Sequence, residues 1–235
     1  MALINLNEAL LLVELILLVP TLLLLILGRR EERGRRELLS EISKTAKMVS
    51  RQEYFNHVES SIQSAKETIK GSITGSAPKS RDGEDQIRRI SEQLRNARKR
   101  NVTIQYVFPK LQDRLMVATI YKEAGCEIRF HPGLIVNDLR YVVFDGRYTV
   151  LGLPGHAGRN EPTRDGYYIP SEGLAQIFTA QFEAKWTEGT DYDSYVQGII
   201  LEAKNHSPGV STELLSKELN ISESEVTRII GNAKS

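Results

Sequence analysis

The sequence predicts an α/β fold in which a layered sheet is flanked by helices. One transmembrane helix precedes this domain and a small helical segment follows it. Three observations lead to this prediction. Strand and helix patterns alternate between Ile69 and Phe130, an order typical of α/β layers. A hairpin pattern surrounds Asp145-Gly146, and an apolar run of about 20 residues, enough to span a bilayer, lies near the N-terminus.

Composition sets the broad class of the protein. The chain has 235 residues, 40% hydrophobic and 26% charged, which is typical of a globular protein with room for one domain and attachments. Its net charge of +1 gives no reason to expect a broad nucleic-acid-binding surface. The single cysteine, Cys126, excludes an intramolecular disulfide, and no Cys and His spacing resembles a zinc site. We expect no metal and no cofactor.

The N-terminal apolar run extends from Ala9 to Leu27. No Lys or Arg precedes it, whereas a group of arginines follows it: Arg29, Arg30, Arg33, Arg35 and Arg36. A removable signal peptide, the weaker alternative, normally has its basic residues in front. The positive-inside rule places the N-terminus outside and the remainder in the cytoplasm. We therefore expect a single-pass anchor in the cell membrane over residues 1–28, and a basic juxtamembrane stalk helix over residues 29–50.

The first part of the domain is predicted from periodicity and composition. Apolar residues recur every three to four positions from Glu37 to about Lys70, which predicts a stalk helix leading into the first domain helix. A short strand is expected around Ile69 to Thr74, and the Gly-, Ser-, Pro- and charge-rich stretch from Gly71 to Glu84 predicts a loop that follows it. Asp85 to Arg100 predicts an amphipathic helix. Its basic residues are interpreted as a solvated helix face and not as a nucleic-acid surface, because no aromatic residue is interleaved among them for base stacking.

The later elements follow from β-forming residues, Gly and Pro breaks and apolar spacing. They are a strand over Val102 to Phe108, a helix over Asp113 to Ala124, a strand over Glu127 to Phe130, hairpin strands over Leu139 to Phe144 and Arg147 to Leu151, and a closing helix over Leu174 to Trp186. The Asp-Gly pair between the hairpin strands favours a type I′ turn.

The order of these segments resembles one half of a phospholipase D-type domain. Ile62 to Ile69 resembles the opening helix and strand of that family. Three further stretches of this chain resemble later segments of the family: Ala97 to Tyr106, Tyr121 to Arg129 and Phe182 to Trp186. The resemblance extends from about Gln52 to Tyr195, and we place the domain at residues 51–196. It implies a homodimer, because a single half must find its counterpart in another copy.

The signature of that family is His-x-Lys-x4-Asp, and here Asp138 stands at the histidine position and Asp145 at the aspartate position. The family's histidine attacks phosphorus. A carboxylate could act as a nucleophile, but it would repel a phosphodiester and lacks the acid role of histidine. The resemblance therefore implies an inactive site; if activity remains, the candidates are Asp138, Arg140, Asp145 and His156. For Asp145 the favoured interpretation is structural, because an Asp-Gly turn explains it.

Arg140 stands at the lysine position of the signature. A guanidinium binds phosphate in a bidentate way and stays charged, so phosphate binding could outlive catalysis. Asp138 and Arg140 lie two residues apart on a predicted strand and therefore share a face. Two interpretations stay open at this point: these side chains bind a ligand, or they pair with each other or with charges on a neighbouring strand.

The last part of the signature is partly lost. Gly152 matches the family's glycine, whereas Leu153 and Gly155 replace its serine and asparagine. The Gly-rich loop that follows could bring backbone amides near an anion. It contains His156, for which an ordinary surface-loop histidine is the commoner interpretation. The predicted ligand-binding residues are therefore Arg140, Asp138, Gly152 and His156.

Residues 197–235 form a separate helical pattern that weakly resembles a helix-turn-helix. Helices are expected over Ser194 to Lys204 and Thr212 to Leu219, and a third begins after Ser222. Only Thr227 and Arg228 are candidate DNA contacts, and two early carboxylates of the same helix oppose a phosphate backbone. A helical packing or protein-interaction module is favoured over DNA binding.

These observations predict a membrane-anchored, catalytically inactive phospholipase D-like protein that acts as a binding or regulatory module for a phosphate-bearing ligand. One alternative is a membrane-bound DNA-binding transcriptional regulator. The other is a divergent phosphodiesterase.

Overall fold

The computed structural model describes residues 47–78, 80–134, 139–154 and 163–232. The predicted anchor from Ala9 to Leu27 and the arginines after it lie outside these residues. So do Asp138 and His156. Within the described ranges, no helix is long and apolar enough to span a bilayer.

Eight described strands form one mixed sheet with the order β1-β7-β6-β5-β2-β3-β4-β8. The strands are β1 (Lys47–Ser50), β2 (Thr68–Ser72), β3 (Thr103–Pro109), β4 (Glu127–His131), β5 (Arg140–Phe144), β6 (Tyr148–Pro154), β7 (Thr163–Ile169) and β8 (Thr190–Asp191). Strands β2, β3 and β4 run parallel to one another, and β5 lies antiparallel to β2. The parallel centre therefore meets an antiparallel half along the β2–β5 pair.

Seven described α-helices surround this sheet. They are α1 (Arg51–Ser64), α2 (Arg81–Lys99), α3 (Leu115–Glu123), α4 (Glu172–Glu188), α5 (Tyr192–His206), α6 (Thr212–Leu219) and α7 (Glu223–Asn232), with a short 3₁₀ turn at Gln112–Arg114 before α3. Side chains cap several helix starts: Ser50 forms a reciprocal capping box with Glu53 at α1, and Ser80 accepts a bond from the Gly83 amide at α2.

The helices cover both faces of the sheet. The main core joins residues of α1, α2, α3, α5, α6 and α7 to one face, on which Val142 and Phe144 of β5 lie. Tyr141 alternates to the opposite face and meets Phe178 of α4, with ring centroids 4.8 Å apart. The predicted α/β fold with a sheet and flanking helices is confirmed.

The hairpin prediction is confirmed in detail. Strands β5 and β6 pair antiparallel around Asp145 and Gly146, which have φ angles of 50° and 64°. Positive φ at both central residues is the geometry of a type I′ turn.

The predicted stalk helix is wrong over Lys47–Ser50, which form strand β1 instead. The strand pairs antiparallel with β7, and Ser50 caps α1, so the helix begins only at Arg51. Strand β7 was not predicted, because Gly166 and the charged residues before it interrupt the β-forming pattern that Tyr167, Tyr168 and Ile169 provide. Pairing with β1 on one side and β6 on the other supplies the stabilisation that its sequence does not signal.

The C-terminal helices pack into the same core as the sheet. Leu215 and Leu219 of α6 are buried, as are Val226 and Ile229 of α7. Helix α5 runs through the predicted boundary at residue 196 without a break. The four-part division of the chain stays a prediction.

Candidate functional site

Arg140 is the first residue of β5, and only 6% of its surface is exposed. Because β5 runs antiparallel to β2, with Tyr141 opposite Ser72, Arg140 lies at the end of the sheet where β2 finishes. Ligands of α/β sheets commonly bind beyond the carboxyl ends of parallel strands. A buried guanidinium at this position is therefore the natural starting point for a site.

Two glycines lie beside Arg140 on the neighbouring strands. Gly152 of β6 pairs with Arg140, and Gly166 of β7 pairs with Gly152. A methyl group added at Gly166 would come within 2.5 Å of Cδ2 of Tyr54. The Tyr54 ring therefore lies against bare backbone, on the face of the sheet to which Arg140 belongs.

A cavity of about 290 Å³ adjoins Arg140. Helix α1, the segment after β2, the start of α2, and residues of β3, α3 and β5 enclose it. Most of the described lining residues come from the helices and strands of the main core. They include Arg51, Tyr54, Phe55 and Val58 of α1, Ser76 of the segment after β2, Gln86, Ile87 and Ile90 of α2, Tyr106 of β3, Val117 and Tyr121 of α3, and Arg140 and Val142 of β5.

The charge of the cavity lining is one-sided. The described lining residues include two arginines, Arg51 and Arg140, and neither Asp nor Glu. In a partly dry cavity, cations act on a ligand more strongly than they do in water. This part of the lining therefore favours an anion.

Three tyrosines add neutral hydrogen-bonding groups to the same cavity. Burial raises the pKa of Tyr54 to about 12, and the nearby positive charge of Arg140 opposes that rise. Burial also raises the pKa of Tyr106 and of Tyr121 well above the ordinary value. All three phenols stay protonated at neutral pH, so they can donate hydrogen bonds to an anion without repelling it.

The segment from Ile73 to Pro78 is held closely against β3. A Cβ at Gly71 would lie 2.2 Å from the Tyr106 ring. Gly75 has a φ of +59°, and a Cβ there would lie 2.3 Å from the ring of Phe108. Glycine is required at both positions, since the backbone approaches aromatic rings directly.

The buried side chain of Arg114 contacts this segment at Ser76. Its side chain is 1% exposed, its Nη1 donates to the Ser76 hydroxyl, and its Nε lies 3.3 Å from Asp113 Oδ1. Burial lowers the pKa of Arg114, and Asp113 opposes that shift. Sequence reasoning missed Arg114, because nothing in its local sequence distinguishes it from a surface arginine.

Asp145 lies at the opposite end of β5 from Arg140 and does not line the cavity. Its carboxylate accepts backbone N–H bonds from Lys66 at 3.0 Å, from Glu67 at 2.9 Å and from Thr68 at 2.9 Å. Its own N–H donates to the Thr68 carbonyl at 2.9 Å. Asp145 therefore ties the hairpin to the start of β2, a structural role in addition to the Asp-Gly turn that the sequence predicts.

Of the four predicted ligand-binding residues, Arg140 and Gly152 are described and lie opposite each other across the β5–β6 pair. Asp138 and His156 lie outside the described residues, so their roles stay predictions. Sequence reasoning missed Arg51 and the three tyrosines. They come from separate elements, and their spacing indicates only buried helix and strand faces.

The candidate DNA contacts point to a different role. Arg228 forms a bidentate pair with Asp193 of α5, at 2.7 and 3.1 Å, and its Nε bonds to Glu225 at 2.8 Å. Hydrogen bonds from Arg228 are the main cause of the lowered pKa values of Asp193 and Glu225. The Thr227 hydroxyl donates to a main-chain carbonyl one turn earlier in α7. Arg228 thus joins α7 to α5.

Other reactive groups in the described part of the chain offer little chemistry. No group of three or more His, Cys, Asp or Glu there could hold a metal ion. Cys126 is buried, and burial raises the pKa of its thiol to about 12. A thiol in that state is a poor nucleophile at neutral pH.

Comparison with known proteins gives structural neighbours only. No protein-family model matches the chain, and no curated protein matches it. The chain is similar to Nuc from Salmonella typhimurium, described as a phospholipase D family member, at 19% identity and a TM-score of 0.46, over 58% of this chain and 89% of that one. It is similar to NucT from Helicobacter pylori at 11% identity and a TM-score of 0.45, over 63% and 98%.

A third neighbour is TrmBL2, described as an archaeal chromatin protein with a novel mode of DNA binding. Its identity is 16% and its TM-score 0.44, over 75% of this chain and 68% of that one. One of these neighbours is thus described as a phospholipase D family member. At these TM-scores the likenesses carry no conclusion about what this chain binds or does.

Proposed function

We propose that this chain is a membrane-anchored, catalytically inactive phospholipase D-like binding module whose cavity beside Arg140 takes a phosphate-bearing ligand. One observation carries the proposal. A buried arginine lines a cavity of about 290 Å³ whose described lining contains a second arginine and no carboxylate.

The groups around this cavity suit a phosphate. The planar guanidinium of Arg140 can donate two parallel hydrogen bonds to phosphate oxygens. The protonated phenols and the side chain of Arg51 supply further donors. The volume lies near the small end of the range of about 300–1,000 Å³ for ligand pockets, which favours a small ligand over a polymer.

The residue types in the described lining support binding without cleavage. Among the described lining residues there are hydroxyl, amide and guanidinium groups, but no His, Cys, Lys or carboxylate. Asp138, at the position of the family's histidine, is the residue through which a divergent phosphodiesterase would act. It is therefore the residue that an activity test must change.

Anchoring, orientation and assembly rest on the sequence. The apolar run over residues 9–27 and the arginines after it support a single-pass anchor with the domain in the cytoplasm. The half-domain resemblance supports a homodimer. A membrane-bound DNA-binding regulator is less well supported, because Arg228 is already held by Asp193 and Glu225.

The binding claim is tested by calorimetric titration of the full-length chain, in mild detergent, with inorganic phosphate. We expect saturable binding, an affinity at least tenfold lower in Arg140→Gln, and an intermediate affinity in Arg140→Lys, which keeps the charge but loses the fork. Arg147→Gln, an exposed arginine in the turn at the other end of β5, is the matched control and should bind as the wild type does. Thermal unfolding of each variant confirms that it is folded. Equal affinity in folded Arg140→Gln would contradict the proposal.

The claim of inactivity is tested on the same preparations with bis(p-nitrophenyl) phosphate. We expect no release of p-nitrophenolate above the rate in buffer. Reproducible turnover that Asp138→Ala abolishes would overturn the binding-only proposal and establish a divergent phosphodiesterase.

A further inference from the structure

The cavity changes in character along its length, and three elements show the change. On α1 the lining begins with Arg51 and continues through Phe55 to Val58. On α2 it begins with Ser80 at the cap and reaches Ile90. The shared feature is that each helix begins polar and becomes apolar over two to three turns.

The third element is β5, and it changes in the same direction. Arg140, at the start of the strand, is followed along the cavity by Val142. Two residues correspond to roughly 6.6 Å along a strand. The charged residues Arg51 and Arg140 and the cap residue Ser80 therefore stand at the beginnings of these elements, and Gln86 is a polar lining residue further along α2.

The topology places these three beginnings at one end of the sheet. Helix α1 starts directly after β1, where Ser50 pairs with Asp165, next to the row of Gly166, Gly152 and Arg140. It ends before β2 begins, and there Ser64 lies 3.3 Å from the Tyr148 hydroxyl at the far end of the sheet. Helix α1 thus runs in the same direction as β5.

Helix α2 has the same direction for a different reason. It follows the segment after β2, at the Arg140 end of the sheet, and returns to the start of β3, which runs parallel to β2. The polar cap of α2 therefore lies at the Arg140 end, and Ile87 and Ile90 lie further toward the Asp145 end. Both charged residues of the described lining therefore lie at one end of the cavity, and the lining from α1, α2 and β5 toward the other end is mainly apolar.

We infer that the ligand is a small phosphate ester whose ester group is compact and apolar, an aryl or short alkyl group. The phosphate lies at the Arg140 end, and the ester group lies between α1 and α2 against Phe55, Val58 and Ile87. This inference rests on the proposed function, because it needs the phosphate to bind beside Arg140. It adds that the apolar wall selects among phosphates.

The test compares three probes on the full-length chain by calorimetry: inorganic phosphate, glycerol phosphate and phenyl phosphate. We expect phenyl phosphate to bind at least tenfold more tightly than either of the others. The glycerol group is similar in size to the phenyl group but polar, so it should gain little from the apolar wall. Glycerol phosphate should therefore bind about as well as inorganic phosphate. This inference would be overturned if phenyl phosphate bound no better than glycerol phosphate. If inorganic phosphate still bound in an Arg140-dependent way, that result would leave the proposed function standing.

Variants locate the selecting wall. Ile87 lines the cavity and is only half-buried, so Ile87→Thr should fold, weaken phenyl phosphate about threefold to tenfold, and leave inorganic phosphate unchanged. Ile177→Thr changes an exposed isoleucine of α4 and is the matched control. Val58→Thr provides a second, independent change in the wall. Equal weakening of phenyl phosphate and inorganic phosphate in Ile87→Thr would contradict a selective wall.

A membrane lipid such as phosphatidic acid carries its phosphate on a diacylglycerol, which is apolar but not compact. Chain reconstituted in phosphatidylcholine vesicles with and without phosphatidic acid therefore tests whether the ester group must be compact. Unchanged phenyl phosphate binding in the phosphatidic acid vesicles would support a compact ester from a soluble compound. Loss of phenyl phosphate binding in those vesicles would overturn the compact ester group.

Discussion

The two ends of β5 carry two residues of one sequence motif in unlike surroundings. At one end, Arg140 is buried beside a cavity whose described lining has no carboxylate. At the other end, roughly 16 Å away by strand geometry, Asp145 accepts three backbone hydrogen bonds. The contrast separates the folding role that the contacts of Asp145 show from the ligand-binding role that we propose for Arg140. The presence of Asp145 is therefore no argument for catalysis.

The largest effect is expected at the folding end of the strand. Asp145→Ala should lower the free energy of unfolding by about 3 kcal/mol, because three N–H groups lose a charged acceptor and alanine must adopt a positive φ. Urea unfolding monitored by circular dichroism measures the change. Asp145→Asn keeps one acceptor oxygen and tolerates the turn, so its loss should be about half as large. A decrease in the free energy of unfolding of less than about 0.5 kcal/mol for Asp145→Ala would contradict a structural role for Asp145.

A smaller effect is expected beside the cavity. Gly166→Ala should cost about 1–3 kcal/mol, because the new methyl group would displace the ring of Tyr54. It should also weaken phosphate binding, since Tyr54 lines the cavity. Gly173, in the first turn of α4, has open space around it. Gly173→Ala should therefore leave both unfolding and binding nearly unchanged. Equal effects of the two variants would show that Tyr54 does not depend on bare backbone at Gly166.

The smallest effect concerns pH. The pKa of Tyr54 is raised from 10.0 to about 12, so the folded state keeps a proton that the unfolded state loses between these values. Stability from this residue is full below pH 10 and falls as pH rises toward 12. Between pH 8 and pH 11 the loss is on the order of 1 kcal/mol.

Tyr54→Phe removes this titration and isolates its contribution. Urea unfolding at pH 8 and at pH 11 should show a loss that is smaller in the variant than in the wild type, by on the order of 1 kcal/mol. The same loss in both proteins would mean that Tyr54 titrates normally and is not buried against the sheet.

Local signals in the sequence predict much of the fold. The Asp-Gly pair fixes the hairpin, and the helix over Thr212–Leu219 follows from its Ser211 cap and apolar spacing. Strands β1 and β7 escape prediction because their stabilisation comes from each other and from β6. Helical spacing of apolar residues also continues across Lys47–Ser50, and only pairing with β7 decides between the two structures.

The site is less predictable than the fold. Arg140 is found through its place in a motif, whereas Tyr54, Tyr106 and Tyr121 are found only when α1, β3 and α3 converge. A tyrosine with helical or strand spacing is usually a core residue, and here each is also buried. The sequence holds no signal that distinguishes a tyrosine lining a cavity from one filling a core.

The separation of roles along β5 is tested most directly by measuring inorganic phosphate affinity in Arg140→Gln and Asp145→Asn side by side, at a temperature where both are folded. The account predicts an affinity at least tenfold lower in Arg140→Gln and within twofold of the wild type in Asp145→Asn. Equal weakening in the two variants would contradict it, because it would make Asp145 part of the ligand site.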